Sequence, residues 1–248
     1  MLSLLSMKVL LVALALIFVL PIAFAAGQSE RPADVPWYAA RRDSSGQAPD
    51  PATTKEAVIQ AYAARAVGWR RPLAVHTWIV VKPAGADRYT RYEVMGWGVG
   101  NGAPAVRVDR TGPDNYWFGA HPELLVDLRG EGVDATIEKV KAAVEAYPYP
   151  NSYVTWPGPN SNTFTAFVAR EVPELGLALP PTAIGKDFIA GGMPFGAAPS
   201  GTGLQLSLFG LAGFTVAMKE GLELNLLGLT VGLSAFPPTI KLPGIGSI

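Results

Sequence analysis

Residues 73–99 read LAVHTWIVVKPAGADRYTRYEVMGWGV. Two runs rich in β-branched and aromatic residues flank a Pro/Gly turn, which is the pattern of an antiparallel hairpin. In the first run Val75, Thr77, Ile79 and Val81 share one face, and His76, Trp78 and Val80 the other. The second run, from about Arg88 to Trp97, sets Arg91, Glu93 and Met95 together on a face. With the turn near Gly85, His76 falls opposite about Met95 and diagonal to Glu93, within side-chain reach. A slip of one residue would flip every one of these faces.

Upstream, TTKEAVIQAYAARAVGW (53–69) has a Thr start, an apolar set at Val58, Ala61, Tyr62 and Ala66, and a stop at Gly68, which predicts a helix. Downstream, APAVRVD (103–109) reads as extended and HPELLVDLRG (121–130) as a short helix. In GVDATIEKVKAAVEAYPY (132–149), Ile137, Val140 and Val144 form the stripe of an amphipathic helix. In WPGPNSNTFTAFVAREVPEL (156–175), a polar Asn160-Ser161-Asn162 start leads into a buried helix face that ends at Pro173. These elements predict an α+β fold, a small and mostly antiparallel sheet with packed helices.

The two ends differ in kind. After Lys8 the chain carries no charge until beyond Gln28, and Ala23-Phe24-Ala25 precedes Ala26. Residues 1–25 therefore read as a secretory signal or an uncleaved membrane anchor, and either places the body outside the cytoplasm. Residues 26–52 read as a linker or docking arm, with Trp37 and Tyr38 as a local anchor, and 53–192 as the α+β domain. In the tail, 193–248, LQLSLFGL (204–211) recurs as LELNLLGL (222–229). Leu alternates with a polar residue and slips phase at Phe209-Gly210 and Leu227-Gly228, which reads as a bulge in each strand of one long hairpin. That hairpin would turn at Lys219-Glu220 and must bury against the domain, another copy or lipid.

Composition narrows the function. Twenty basic and twenty acidic residues cancel without a basic stripe, which argues against nucleic acid as a partner. The absence of cysteine removes thiol chemistry and disulfides, and two histidines, His76 and His121, are too few for a His-rich metal site. No cofactor is called for. His121 reads as a helix-terminal residue, Lys186 as a solvated loop lysine, and GVGNG (98–102) as a plain turn.

Chemistry concentrates on three residues. Ser161 opens a helix, where free N–H groups could receive a developing negative charge. His76 is the candidate base and Glu93 its candidate orienting group, with Asn160, Asn162, Tyr153 and Arg91 as candidate substrate contacts. A bland reading stands beside this one, since Asn160, Ser161 and Asn162 are all favoured N-caps.

Two resemblances bear on these residues. His on an early strand, a polar group on the next, and Tyr153 ahead of Asn160-Ser161-Asn162-Thr163-Phe164 resemble the circularly permuted papain-like group, which includes lecithin retinol acyltransferase-like enzymes and relatives of NlpC peptidases. That resemblance implies His76 as base and Ser161 in the place of a cysteine nucleophile. Over nearly the whole chain, SSGQAPDP, AVHTWIVVKPAGADRYTRYEVMGWG, WPGPNSNTF, LPPTAIGKDF, LSLFGLAGF and LPGIG resemble a bacterial family of unknown function, DUF3750. The combined expectation is an exported cell-envelope protein on a decayed papain-like scaffold, binding peptide or lipid without chemistry. The alternatives are a Ser/His amidase, esterase or acyltransferase, and a membrane-surface or subunit-pairing protein acting through the hairpin. The oligomeric state is left open.

Overall fold

The structure is a computed structural model that describes residues 4–28 and 36–248. Residues 29–35 of the expected linker lie outside the described residues. Mixed helices and antiparallel sheets give the α+β class expected.

A five-stranded sheet is built from β1 (Val58–Arg65), β2 (Val75–Lys82), β3 (Thr90–Val94), β4 (Val106–Val108) and β5 (Glu123–Arg129), in the order β4-β3-β2-β1-β5. The hairpin over 73–99 is β2–β3. Trp78 pairs with Glu93, so His76 lies diagonal to Glu93 as expected, and Gly85 turns with φ +72°. Two expected helices are strands instead. VIQAYAAR is β1, an interior strand between β2 and β5 and buried on both faces. Its alanines suit a helix, but here they are small residues between crowded layers, and tertiary burial overrides propensity. ELLVDLR is β5 beside it, and exposed His121 precedes that strand rather than a helix.

α2 (Val133–Glu145) and α3 (Ser161–Glu171) cover one face of this sheet. Ile59, Ile79, Val81, Ile137, Val140 and Phe164 fill the layer between. The opposite face carries Tyr62, Trp78, Tyr89 and Trp117. Part of the expected linker is a docked arm there: the Asp114 carboxylate accepts from Ser44 Oγ at 2.8 Å and from the Gln47 N–H at 2.6 Å. Trp37 and Tyr38 pack edge to face on each other and are exposed, so they do not anchor the arm in the core.

The tail is a seven-stranded antiparallel sheet, not one long hairpin. It comprises β6 (Phe195–Ala197), β7 (Gly203–Leu208), β8 (Ala212–Ala217), β9 (Gly221–Leu226), β10 (Leu229–Ala235), β11 (Pro238–Leu242) and β12 (Gly246–Ser247) in sequential order. The phase slips expected to be bulges are turns. Leu227 and Gly228 both have positive φ (54° and 77°) and join β9 to β10, the backbone of a two-residue primed turn. Phe209 and Gly210 also have positive φ (53° and 73°), in a three-residue connection, 209–211, between β7 and β8. The expected turn at Lys219-Glu220 is present, but it links β8 to β9.

This sheet buries its polar face. Gln205, Thr215, Glu223, Gly232 and Lys241 form one cross-strand row, and the polar residues in it are buried. On the other face, Ala197, Leu204, Val216, Leu222, Leu233 and Ile240 align across six strands. The four larger residues from Leu204 to Leu233, and Ile240, are exposed.

The first helix, α1 (Leu4–Gln28), is apolar all round. Its Met7–Gly27 stretch has mean hydropathy 3.0, and 21 residues rise about 31 Å, enough to cross a bilayer. The expected processing site Ala23-Phe24-Ala25 lies within this helix. The helix packs against β10 and β11, and Ile22 and Ala25 lie so close to Gly244 that a side chain there would touch both.

Candidate functional site

The start of α3 is stitched to the start of β2. Asn160 is the N-cap, its Oδ1 accepting from the N–H groups of Asn162 (3.0 Å) and Thr163 (3.2 Å). Asn162 donates to the carbonyls of Val75 and Ile184 and accepts from the Thr77 hydroxyl at 3.0 Å. Asn160 and Asn162 are therefore structural braces. Ser161 is the first helical residue, and its hydroxyl makes no hydrogen bond among the described residues.

On the other face of β2, His76 stacks on Trp117 with ring centroids 3.8 Å apart, and on Trp78 at 5.8 Å. His76 Nε2 lies 2.8 Å from Glu93 Oε2, which also accepts from Arg91 Nη2 at 2.7 Å. Arg91 is itself buried over the Trp78 ring at 4.0 Å and donates to the Gly112 carbonyl, so it buttresses Glu93. Burial works against ionising Glu93, but the His76 hydrogen bond and Arg91 outweigh it and lower its pKa. An ionised carboxylate only accepts, so His76 Nε2 carries the proton and Nδ1 is the free lone pair. Burial pushes the His76 pKa down despite Glu93, and the ring is neutral at neutral pH.

His76 and Ser161 line one cavity of about 560 Å³. No hydrogen bond joins them, because β2 turns His76 toward Trp117 while Val75 and Thr77 face α3. Tyr153 lines the same cavity, and its ring packs on Gly96, where a Cβ would sit 2.5 Å from it. Arg91 does not reach the cavity. Arg70, Thr155, Asn160 and Asn162 are further polar residues of its lining.

The other lining residues were not singled out from sequence. Trp69, Trp97, Trp117 and Trp156 surround the cavity, with Val67, Leu73, Val94 and Met95 between them. Ile22 of α1 and Leu227 and Leu229 of the tail sheet complete the wall. Only the concentration of four tryptophans near these elements could have signalled it.

Charged residues excluded from the cavity gather under the tail sheet. Lys186, read from sequence as solvated, is buried and pairs with Asp187 at 2.9 Å and Glu223 at 2.6 Å. Burial disfavours its charge, but those carboxylates prevail and raise its pKa. Among the described residues no cluster of His, Asp or Glu could hold a metal ion.

No curated protein and no solved structure matches the chain. Residues 56–188, which hold His76, Glu93, Ser161 and most of the cavity wall, match the family described as Protein of unknown function (DUF3750), and the chain belongs to that family.

Proposed function

We propose that this is an exported, membrane-associated envelope protein that holds the acyl portion of a lipid or lipid-linked ligand in the cavity without transforming it. The observation that carries this reading is the composition of the wall: tryptophan and aliphatic side chains from the domain, closed by Ile22 of the apolar helix and Leu227 of the tail sheet. Concave, mostly apolar sites of several hundred Å³ with a few polar groups at one end suit such ligands. Trp69, Trp97 and Trp156 are largely exposed, as side chains at a membrane interface are. A peptide would need more polar partners along its backbone than this wall offers.

Trp117 supplies the test. The full chain is reconstituted in nanodiscs, with or without phospholipid brominated near the acyl terminus, and compared with Trp117→Phe. The difference between the two proteins isolates the emission of Trp117, which is 7% exposed. Quenching of that component by bromine is expected; a Trp117 component indifferent to bromine overturns the reading.

A second reading draws on the Nε2–Glu93 contact, which leaves Nδ1 of a neutral imidazole as a base, and on the unbonded Ser161 hydroxyl in the same cavity. It requires His76 to swing toward α3. Labelling of Ser161 by a serine-directed fluorophosphonate, lost in His76→Ala, would replace the binding reading with a hydrolase or acyltransferase.

A further inference from the structure

Among the described residues, nothing covers the outer face of the tail sheet. Leu206, Phe214 and Leu224 stand side by side on β7, β8 and β9, each 39–49% exposed. No charged side chain interrupts the cross-strand row beside them. With strands about 4.8 Å apart, the six strands from β6 to β11 span about 24 Å, and the six-residue strands β7, β8 and β9 run about 20 Å, with β6 and β11 shorter. The turns continue the surface: Phe209, Leu227 and Phe236 are 60–76% exposed. Phe209 and Leu227 hold positive φ, where Asn or Gly is the favoured residue, so apolar side chains are kept there against local preference. An apolar area of this extent marks an interaction site rather than ordinary surface.

We infer that this face lies on a lipid leaflet, the same one that receives α1. Continuity identifies the occupant. The helix that is long and apolar enough to span a bilayer packs on β10 and β11 of this very sheet, and its Ile22 shares the cavity wall with Leu227 and Leu229. A bilayer that surrounds α1 therefore meets the sheet beside it. The sheet's construction agrees. Its charges are turned inward, where Glu223 and Lys241 are neutralised together with Lys186 and Asp187 beneath the sheet, leaving an outer face that loses no hydration of charge on contact with lipid. Seating the sheet on the leaflet also brings the cavity wall at Leu227 next to lipid, whichever ligand the cavity takes.

The chain has no cysteine, so single labels can be placed at will. Nitroxides are attached at Leu206→Cys, Phe214→Cys and Leu224→Cys in the full chain, in nanodiscs of phosphatidylethanolamine and phosphatidylglycerol. Val12→Cys on α1 and Glu138→Cys on exposed α2 serve as references. Power-saturation EPR then compares access of oxygen with access of a water-soluble nickel chelate. The three sheet labels should show the Val12 pattern: high oxygen access and nickel access several-fold below that at Glu138. They sit on three strands, so misfolding of one variant leaves two to read. Nickel access at the sheet equal to that at Glu138 overturns the inference, as does a Val12 label open to nickel. Dipolar broadening at Phe214→Cys that disappears on dilution with unlabelled protein assigns the face to a second copy, and overturns it too.

Discussion

The two sheets of this protein obey opposite rules. The five-stranded sheet buries apolar faces, with Ile59, Ile79 and Val81 against Phe164 and Ile137. The tail strands alternate between apolar and polar residues, yet bury Gln205, Thr215, Glu223 and Lys241 and show their leucines to the outside. Alternation says that a strand has two unlike faces; it does not say which face meets protein. That choice is made by what lies against the sheet. Under the tail sheet sit Asp187, Lys186 and Arg170, whose pKa burial pushes down to about 10 against the pull of Asp187 and Glu220. A polar partner selects the polar face.

The packing under the tail sheet is closely specified. Gly232 stands between Glu223 and Lys241 in their row, and with no side chain intervening Lys241 reaches Glu223 at 2.6 Å. Asp187 accepts from Asn225 and from the Gln205 amide, and Lys186 lies between Asp187 and Glu223. Buried ion pairs contribute little net stability but make register exact, since a slip of one residue would leave charges unpaired.

The comparison can be broken first at Glu223. Glu223→Ala leaves Lys186 and Lys241 facing each other without their shared carboxylate, and should cost about 3–5 kcal/mol in denaturant unfolding of the full chain in micelles. Phe164→Ala, its counterpart in the apolar layer, should cost about 3–5 kcal/mol by leaving a cavity. The same loss would then arise from charge in one sheet and from volume in the other. A Glu223→Ala protein as stable as wild type would show that the polar face does not hold the tail in place.

At the junction of the two regions the effects should be smaller. Asn160→Ala removes the cap of α3 and should cost about 1 kcal/mol, while Ser161→Ala should change stability by less than about 0.5 kcal/mol because its hydroxyl has no hydrogen bond among the described residues. A reversed order would return the cap to Ser161.

pH probes the buried imidazole. Since the folded pKa of His76 lies below the unfolded value near 6.5, the unfolded chain binds a proton first. Stability should be level above about pH 7 and fall as the pH drops through about 6.5. Glu93, with its pKa lowered from 4.5, adds a loss of the same sign below that value. His76→Gln should flatten the first step in a pH series of thermal melts and shrink the second to what Arg91 sustains. The smallest effect belongs to the outer face. Leu206→Ser should shift unfolding in micelles by no more than about 0.5 kcal/mol, because about half of that leucine is exposed and its contacts are with cross-strand neighbours that are themselves exposed.

The β2–β3 hairpin was legible from sequence because Trp78 and Glu93 sit in strands with one clear period and a Gly turn between them. With it came the His76–Glu93 contact. The starts of α2 and α3 were legible for similar local reasons. β1 was not, since alanine is read as helical until its two crowded neighbours are known. The tail strands were half legible: the repeat was visible, but Phe209 and Leu227 are unusual at turn positions that demand positive φ, so the turns read as bulges. For the site, sequence grouped His76, Ser161 and Tyr153, which all line the cavity, and offered Asn160, Ser161 and Asn162 alike as caps, of which Asn160 fills the role; Arg91, a candidate substrate contact, stands behind Glu93. A cavity wall assembled from α1, β2, the 94–97 turn and the tail sheet has no signature within any one segment.

Together, the two proposals make α1, the outer face of the tail sheet and the cavity one lipid-facing surface. Its most direct measurement is a mass-spectrometric map of crosslinks from a phospholipid with a diazirine in its acyl chain, photolysed around the full chain in nanodiscs. The account predicts adducts in three places: on α1, on exposed residues such as Leu206 and Leu224, and on cavity residues such as Met95 and Tyr153. It predicts none on the outer side of α2 or on the 44–51 arm. Adducts confined to α1, or spread evenly over both sheets and the arm, would contradict it.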